Sequence, residues 1–384
     1  ETGADGVVLD TRGASSRELQ AAADRVKPGI IMYSEGMAIP KDMPGIVSGR
    51  VHDALIMPPP LNLNKFIKPD FAIFRVLQLA DDRLHREITV AFFNGYGIEI
   101  NTMKPGRPEW IGEEFTFLGR TTRILRENSR LFTNGSFYPL IPTLVDSVYV
   151  NGWHDRDTRL YTILSLKPFG HKGALFSLAG KEFSNDHQPE ESEYHWIDLW
   201  NHEHVEPIWK GDSLLIPVTL EPFNPGWLQT RREGNPGCVA LFRKQLHAGL
   251  NNGKISIRCQ SGERIAITNG NPDYTKQPVI LPARDTAISY RSLFGANTSK
   301  LVVQLFQEDK LIDEAVLFPV PGTPVRVGQP VYATTFETTP EGMVEIPGGL
   351  FRYYTARAPG TLTPFIPLPG SGDTTEVMVP PVFI

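Results

Sequence analysis

Within its first 132 residues the chain repeats one pattern five times: a short apolar run, a polar residue where the run ends, then a helical or irregular stretch. Val7-Val8-Leu9 closes on Asp10. Ser15 and Glu18 stand at capping-box spacing and open a helix that Pro28-Gly29 stops. Ile30–Tyr33 runs into Ser34-Glu35-Gly36, and Val51–Ile56, Phe71–Leu77 and Tyr96–Asn101 supply the third to fifth strands. The pattern of 84–93 predicts a helix closed by Asn94-Gly95. Pro108 opens a long amphipathic helix with Ile111, Phe115, Leu118 and Leu125 on its apolar side, ending near Leu131.

Short apolar strands alternating with helices imply a parallel sheet covered by helices. The expected fold class is α/β plus all-β: about the last five units of a (β/α)8 barrel, residues 1–132, followed by β-sandwich domains. An open doubly wound sheet is the runner-up. It calls for a phosphate-binding G-x-G-x-x-G after a strand, and none stands there. Asp10, Glu35, Asp53, Arg75 and Glu99 fall at or near the carboxyl ends of successive strands, where a barrel carries its chemistry. Two carboxylates facing each other across a sugar are what glycosidic hydrolysis needs, one as acid and one as nucleophile or base. Each residue taken alone also reads as a strand-end carboxylate that caps a helix or pairs with an arginine.

After Phe132 the texture changes to short strands separated by Gly, Pro, Asn and Asp. A β-sandwich is expected over 133–235, a second β-rich domain over 236–320, a linker over 321–340 and a separate segment over 341–384. His195, His202 and His204 invite a metal site, yet 201–203 reads as a turn with its imidazoles solvated or hydrogen-bonded. His154-Asp155-Arg156-Asp157 reads as a charged hairpin turn. Cys238 and Cys259 form no C-x-x-C pair; one disulfide or two free buried thiols both fit, and free thiols are the reading preferred. With 38 basic against 43 acidic residues the net charge is −5, which argues against a nucleic-acid or anionic-membrane partner. No apolar run reaches the length of a membrane span. The chain opens on Glu1 without Met or a signal peptide, and is read as a fragment.

Residues 3–10, Gly-Ala-Asp-Gly-Val-Val-Leu-Asp, resemble the fourth strand of α-galactosidase-type retaining barrel glycosidases. Tyr33-Ser34-Glu35-Gly36, Phe92-Phe93-Asn94-Gly95-Tyr96-Gly97 and Tyr138-Pro139-Leu140-Ile141-Pro142-Thr143 are similar to segments of a bacterial glycosidase-like family. The resemblance covers about residues 3–230. It implies Asp10 as nucleophile and Asp53 as acid, with Glu35 the competing acid and Arg75, Glu99 and Asn101 as substrate contacts. Ile98-Glu99-Ile100-Asn101 replaces the aromatic-Glu-Asn segment usual there. Gly342-Met343-Val344-Glu345-Ile346-Pro347-Gly348-Gly349-Leu350-Phe351 resembles the opening of formylglycine-generating, sulfatase-modifying domains.

A carbohydrate-active hydrolase is therefore expected, with carbohydrate as its partner and neither cofactor nor metal. The resemblance alone suggests a secreted or periplasmic protein. The isolated chain is expected to be catalytically weak. The alternatives are an inactive carbohydrate-binding scaffold, and an accessory region of a sulfatase-modifying protein.

Overall fold

The computed structural model describes residues 3–10, 17–37, 43–51, 61–78, 84–101, 111–133, 136–179, 193–226, 233–295, 299–319, 336–354 and 374–384. The chain divides into two compact units, Glu1–Pro321 and Gly322–Ile384.

The first unit opens with strands β1 (Gly6–Leu9), β2 (Ile31–Met37), β3 (Ser48–Val51), β4 (Ala72–Gln78) and β5 (Gly97–Asn101). Helices α1 (Arg17–Val26), α2 (Asn64–Ile67), α3 (His85–Phe93) and α4 (Ile111–Glu127) lie between or after them. The five strands make one sheet in sequential order, with every pair parallel. Parallel neighbours cannot be joined by a tight turn, so each strand is followed by a crossover. Met32, Phe71, Ile73, Ala91 and Tyr96 fill the layer between sheet and helices, with Leu9, Ala23 and Ile98 packed against them. The expected Ser15 cap and Pro108 lie outside the described residues.

The third strand differs from expectation. It runs over Ser48–Val51, three residues before the predicted Val51–Ile56. Its register pairs Ser48 with Ala72 and Val51 with Arg75. Small and polar residues in the middle of a sheet escaped a search for apolar runs. Residues 52–60, Asp53 included, lie outside the described residues.

α3 is buried from Ile88 to Phe93 because it lies between two sheets. One side carries Ala91 toward the parallel sheet. The other carries Phe92 toward an antiparallel sheet with Trp153, Leu160 and Phe242. Lys65 on α2 is also buried; its Nζ donates to Phe71 O at 3.2 Å and Phe132 O at 2.9 Å, tying α2 to the start of β4 and the turn after α4.

The antiparallel region contains β6 (Phe137–Ile141), β7 (Val148–His154), β8 (Thr158–Ser165), β9 (His171–Ala179), β10 (Tyr194–Asp198), β11 (Glu203–Val205), β12 (Ile208–Lys210), β13 (Ser213–Leu220) and β14 (Asn235–Arg243). A six-stranded sheet, β11-β10-β14-β8-β7-β6, faces a three-stranded sheet, β12-β13-β9. Alternation along β14 explains the layering: Val239 and Leu241 join the core between the two sheets. Cys238, Ala240 and Phe242 point the other way, toward α3 and α4. Both faces being covered, the strand is apolar from Cys238 to Phe242. The expected domain border between 235 and 236 falls inside this strand, which belongs to the first sandwich.

Next come β15 (Leu246–Asn251), β16 (Lys254–Cys259), β17 (Arg264–Asn269), β18 (Val279–Pro282), β19 (Thr286–Ser289), the short helix α5 (Tyr290–Phe294), β20 (Leu301–Gln307) and β21 (Lys310–Leu317). They form sheets β15-β16-β19 and β18-β17-β20-β21 around a core of Ile255, Ile257, Ile265, Ile267, Leu301, Val303 and Leu305. Cys238 and Cys259 are both free; Cys238 is buried and Cys259 only half-buried.

In the second unit β22 (Glu345–Ile346) pairs with β25 (Val382–Phe383), and β23 (Gly349–Tyr354) with β24 (Thr374–Val379), both antiparallel. Phe336 meets Phe383 edge-on, ring centroids 6.1 Å apart. Most of the expected linker, residues 321–335, lies outside the described residues.

Candidate functional site

The carboxyl edge of the parallel sheet collects the residues singled out by the sequence. Leu9, the last residue of β1, pairs with Ser34 on β2, so Asp10 and Glu35 each stand one residue further along neighbouring strands. Asp10 is exposed and has an interaction partner. β2 shifts register between Ser34 and Met37 against Gly49 and Arg50 of β3, which places Glu35 in a bulge. Bulges of this kind re-aim the chain and gather near active sites. Arg75 pairs with Val51 and Ile98, at the level where β3 ends. Glu99 pairs with Val76 and Asn101 with Gln78 at the end of β5. Glu99 is half-buried, and alternation puts it on the face opposite its core neighbour Ile98. Strands lie roughly 4.8 Å apart, which separates β1 from β2 by about 5 Å, from β3 by about 10 Å and from β5 by about 19 Å along a flat sheet. Asp10 and Glu35 are thus brought together, and Glu99 and Asn101 stand across the sheet from them.

A second polar assembly, absent from the sequence reading, lies where α4 and the two sandwiches meet. Asp313 and Glu314 on β21 are fully buried. Asp313 Oδ1 accepts from His195 Nε2 at 2.5 Å, and its Oδ2 accepts from the Gln245 and Leu246 amides, each at 2.7 Å. Glu314 accepts from His202 Nδ1 and from Gln304 Nε2, both at 2.9 Å. Arg123 on α4 donates to Glu127 and to Gln304, each at 2.6 Å. Burial pushes the Glu127 carboxyl up, and Arg123 holds it down. Burial also raises Asp198 to about 6, although the Trp200 and Asn201 amides and Asn201 Nδ2 all donate to it. The Arg120 guanidinium lies 3.8 Å from the centre of the Trp200 ring and donates to Trp200 O at 2.8 Å.

The three histidines are therefore hydrogen-bonded, with His204 also exposed to solvent. His202 is buried at a left-handed turn position, φ 51°, and His204 Nε2 accepts from the Val316 amide at 3.3 Å. Among the described residues no group of three His, Cys, Asp or Glu side chains is arranged to hold a metal ion. Asp155 organises the turn between β7 and β8, accepting from the Asp157 and Thr158 amides, and pairs with Lys310 at 2.7 Å. Two sequence signals pointed to the junction. Arg120, Arg123 and Glu127 recur at helical spacing around Ile124, and Asp313-Glu314 sits inside an otherwise apolar strand.

No family model matches the chain, so the resemblance of 342–351 to sulfatase-modifying domains has no support there. No curated protein matches it either. Its structural neighbours are glycoside hydrolases. A maltogenic alpha-amylase from Thermotoga neapolitana matches with TM-score 0.38 and 12% identity, over 61% of this chain and 60% of that one. An alpha-amylase from Geobacillus thermoleovorans matches with TM-score 0.38 and 14% identity, over 62% and 60%. A debranching enzyme from Nostoc punctiforme matches with TM-score 0.38 and 11% identity, over 62% and 58%. The chain thus spans about three fifths of the length of these enzymes, and a likeness this slight says nothing of substrate or chemistry. No helix among the described residues is long and apolar enough to cross a membrane.

Proposed function

We propose that this chain belongs to a carbohydrate-active, glycoside hydrolase-like protein whose barrel-type sheet cleaves glycosidic bonds with a pair of carboxylates. The observation that carries the reading is the sequential parallel sheet with Asp10 and Glu35 one residue past the Leu9–Ser34 pair on its carboxyl edge. β1 lies at the sheet's edge with Val7 and Val8 exposed, which supports further strands pairing there in a closed barrel. Asp10 acts as the nucleophile. The acid is Asp53 or Glu35. Asp53 comes two residues after β3 in the sequence, and β3 is two strands from β1 in the sheet. Glu35 stands beside Asp10 and rests on its bulge.

The test is made on the natural protein that contains this chain, with a panel of aryl glycosides of graded leaving-group ability. Asp10→Asn should abolish turnover of every substrate, a fall of at least about 10³-fold. Loss of the acid should spare substrates whose leaving group needs no proton. If Asp53→Ala keeps activated substrates fast and slows the rest, Asp53 is the acid; if Glu35→Ala does so, the role passes to Glu35. Unchanged turnover in Asp10→Asn overturns the proposal.

A further inference from the structure

A cavity of about 180 Å³ lies beside the polar junction, between α4, the turn after β10 and the loop 271–273. Its wall carries Arg120, Arg123, Glu127, Trp200, His202 and Asp273. The cavity's charges balance in number but not in pairing. Arg123 is matched by Glu127 at 2.6 Å, and Asp273 by Lys276 at 3.3 Å. Arg120 has no carboxylate within ion-pair distance among the described residues. Its only hydrogen bond there goes to Trp200 O, and its ring contact with Trp200 fixes the plane of the guanidinium. Burial lowers its pKa, against the pull of Glu221 and Asp198, yet a guanidinium stays charged at any physiological pH. A half-buried, oriented cation with N–H groups to spare is thus left facing a cavity.

From these features we infer a binding site for a small hydroxylated carboxylate, no larger than one sugar ring, seated on Arg120. A planar guanidinium offers paired N–H groups that match the two oxygens of a carboxylate. A single guanidinium matches one carboxylate group. His202 commits Nδ1 to Glu314 and leaves Nε2 for a ligand hydroxyl. The Asp273 side chain, which already caps its own turn through the Thr275 and Lys276 amides, lines the same cavity. The volume falls below the roughly 300–1,000 Å³ of sites for drug-sized molecules, which limits the ligand to a single small ring. This site shares no residue with the carboxyl edge of the parallel sheet, and the inference stands apart from the hydrolase reading.

Titration calorimetry of the whole chain with glucuronate, glucose and sulfate tests it. Glucuronate should bind saturably at one site, with glucose and sulfate at least tenfold weaker. Arg120→Met keeps an apolar stem over Trp200 and should weaken glucuronate at least tenfold. Thr116→Phe, at an exposed position of α4 on the cavity rim, should block binding while leaving the melting temperature near that of the parent. Should Arg120→Met fail to fold, Thr116→Phe and the comparison of the three probes decide. Absence of saturable glucuronate binding overturns the site, as does binding unchanged in the folded variants. Equal affinity for glucose or sulfate overturns the carboxylate class.

Discussion

Gly95 ends α3 at φ 68°, and a Cβ there would stand 2.7 Å from Phe132 Cδ1 and 3.1 Å from the Trp153 ring. Both the conformation and the space exclude a side chain, so Gly95→Ala should destabilise the protein by about 2–4 kcal/mol, read as a fall in the urea midpoint. The Asn-Gly stop was legible because a helix C-terminus demands it; the close approach was not, since Phe132 and Trp153 arrive from distant sequence. Lys65 gives a second expectation. Burial lowers it to about 8, with Asp70 pulling the other way. Between about pH 8 and 10.5 the native state has shed this proton while the unfolded chain still holds it. Stability should then rise with pH across that window, by up to about 3 kcal/mol from this group. Lys65→Met should lose that rise in denaturant melts at pH 8 and pH 10. Nothing local to Asn64-Lys65-Phe66 announces a buried ammonium; its partners are carbonyls contributed by Phe71 and Phe132.

At the level of elements, periodicity worked where one rule sufficed. β1, β2, β4, β5, α3 and α4 stand close to where apolar runs and helix punctuation put them. β3 was misplaced because Ser48, Gly49 and Arg50 carry no apolar signal; it is a strand because β2 and β4 need a partner between them. β14 went unseen for the opposite reason. Asn-Pro-Gly at its start reads as a turn, yet it is the strand buried on both faces. The placement of Asp10 at a strand end followed from β1 alone, whereas the bulge at Glu35 depends on register against β3 and has no signature in β2 itself. The central position of β14 makes it the most sensitive place to truncate. Phe242 packs among Trp153, Phe132 and Ile124 with no exposure, and Phe242→Ala should cost about 3–5 kcal/mol. The same change at Phe169, which is 86% exposed, should shift the urea midpoint hardly at all. Similar losses at the two positions would contradict the layering described for this sheet.

In the whole first unit, three layers of different origin are joined by groups that cannot be solvated. The parallel sheet meets the first sandwich through apolar surfaces on α3 and α4; the second sandwich adds Ala266, Phe306 and Leu311 to that apolar cluster and is also fixed through charge. Asp313 and Glu314 are carboxylates with no exposure, each held from outside its own sandwich: His195 and His202 reach them from the first. Gln304 then links Glu314 to Arg123 on α4. Removing one partner from such a set leaves the others buried without a match, which costs more than the bond itself contributed. In Glu314→Gln the amide can still accept from one donor, but its NH2 group must face the other, His202 or Gln304. A loss of about 1–3 kcal/mol is expected. In Glu314→Ala both donors are stranded and Arg123 loses the far end of its chain of bonds, so the second sandwich should loosen from the rest. Scanning calorimetry should then show a lower-temperature transition of β15–β21, absent from the parent and separate from the rest of the first unit, since the apolar core around Ile265 and Leu305 stays intact. A double-mutant cycle of Glu314→Gln with His202→Gln should give a coupling of about 1–2 kcal/mol, while Glu314→Gln with the exposed Arg352→Gln should give none. An unsplit, unshifted melt for Glu314→Ala would show that apolar contacts alone fasten the two sandwiches.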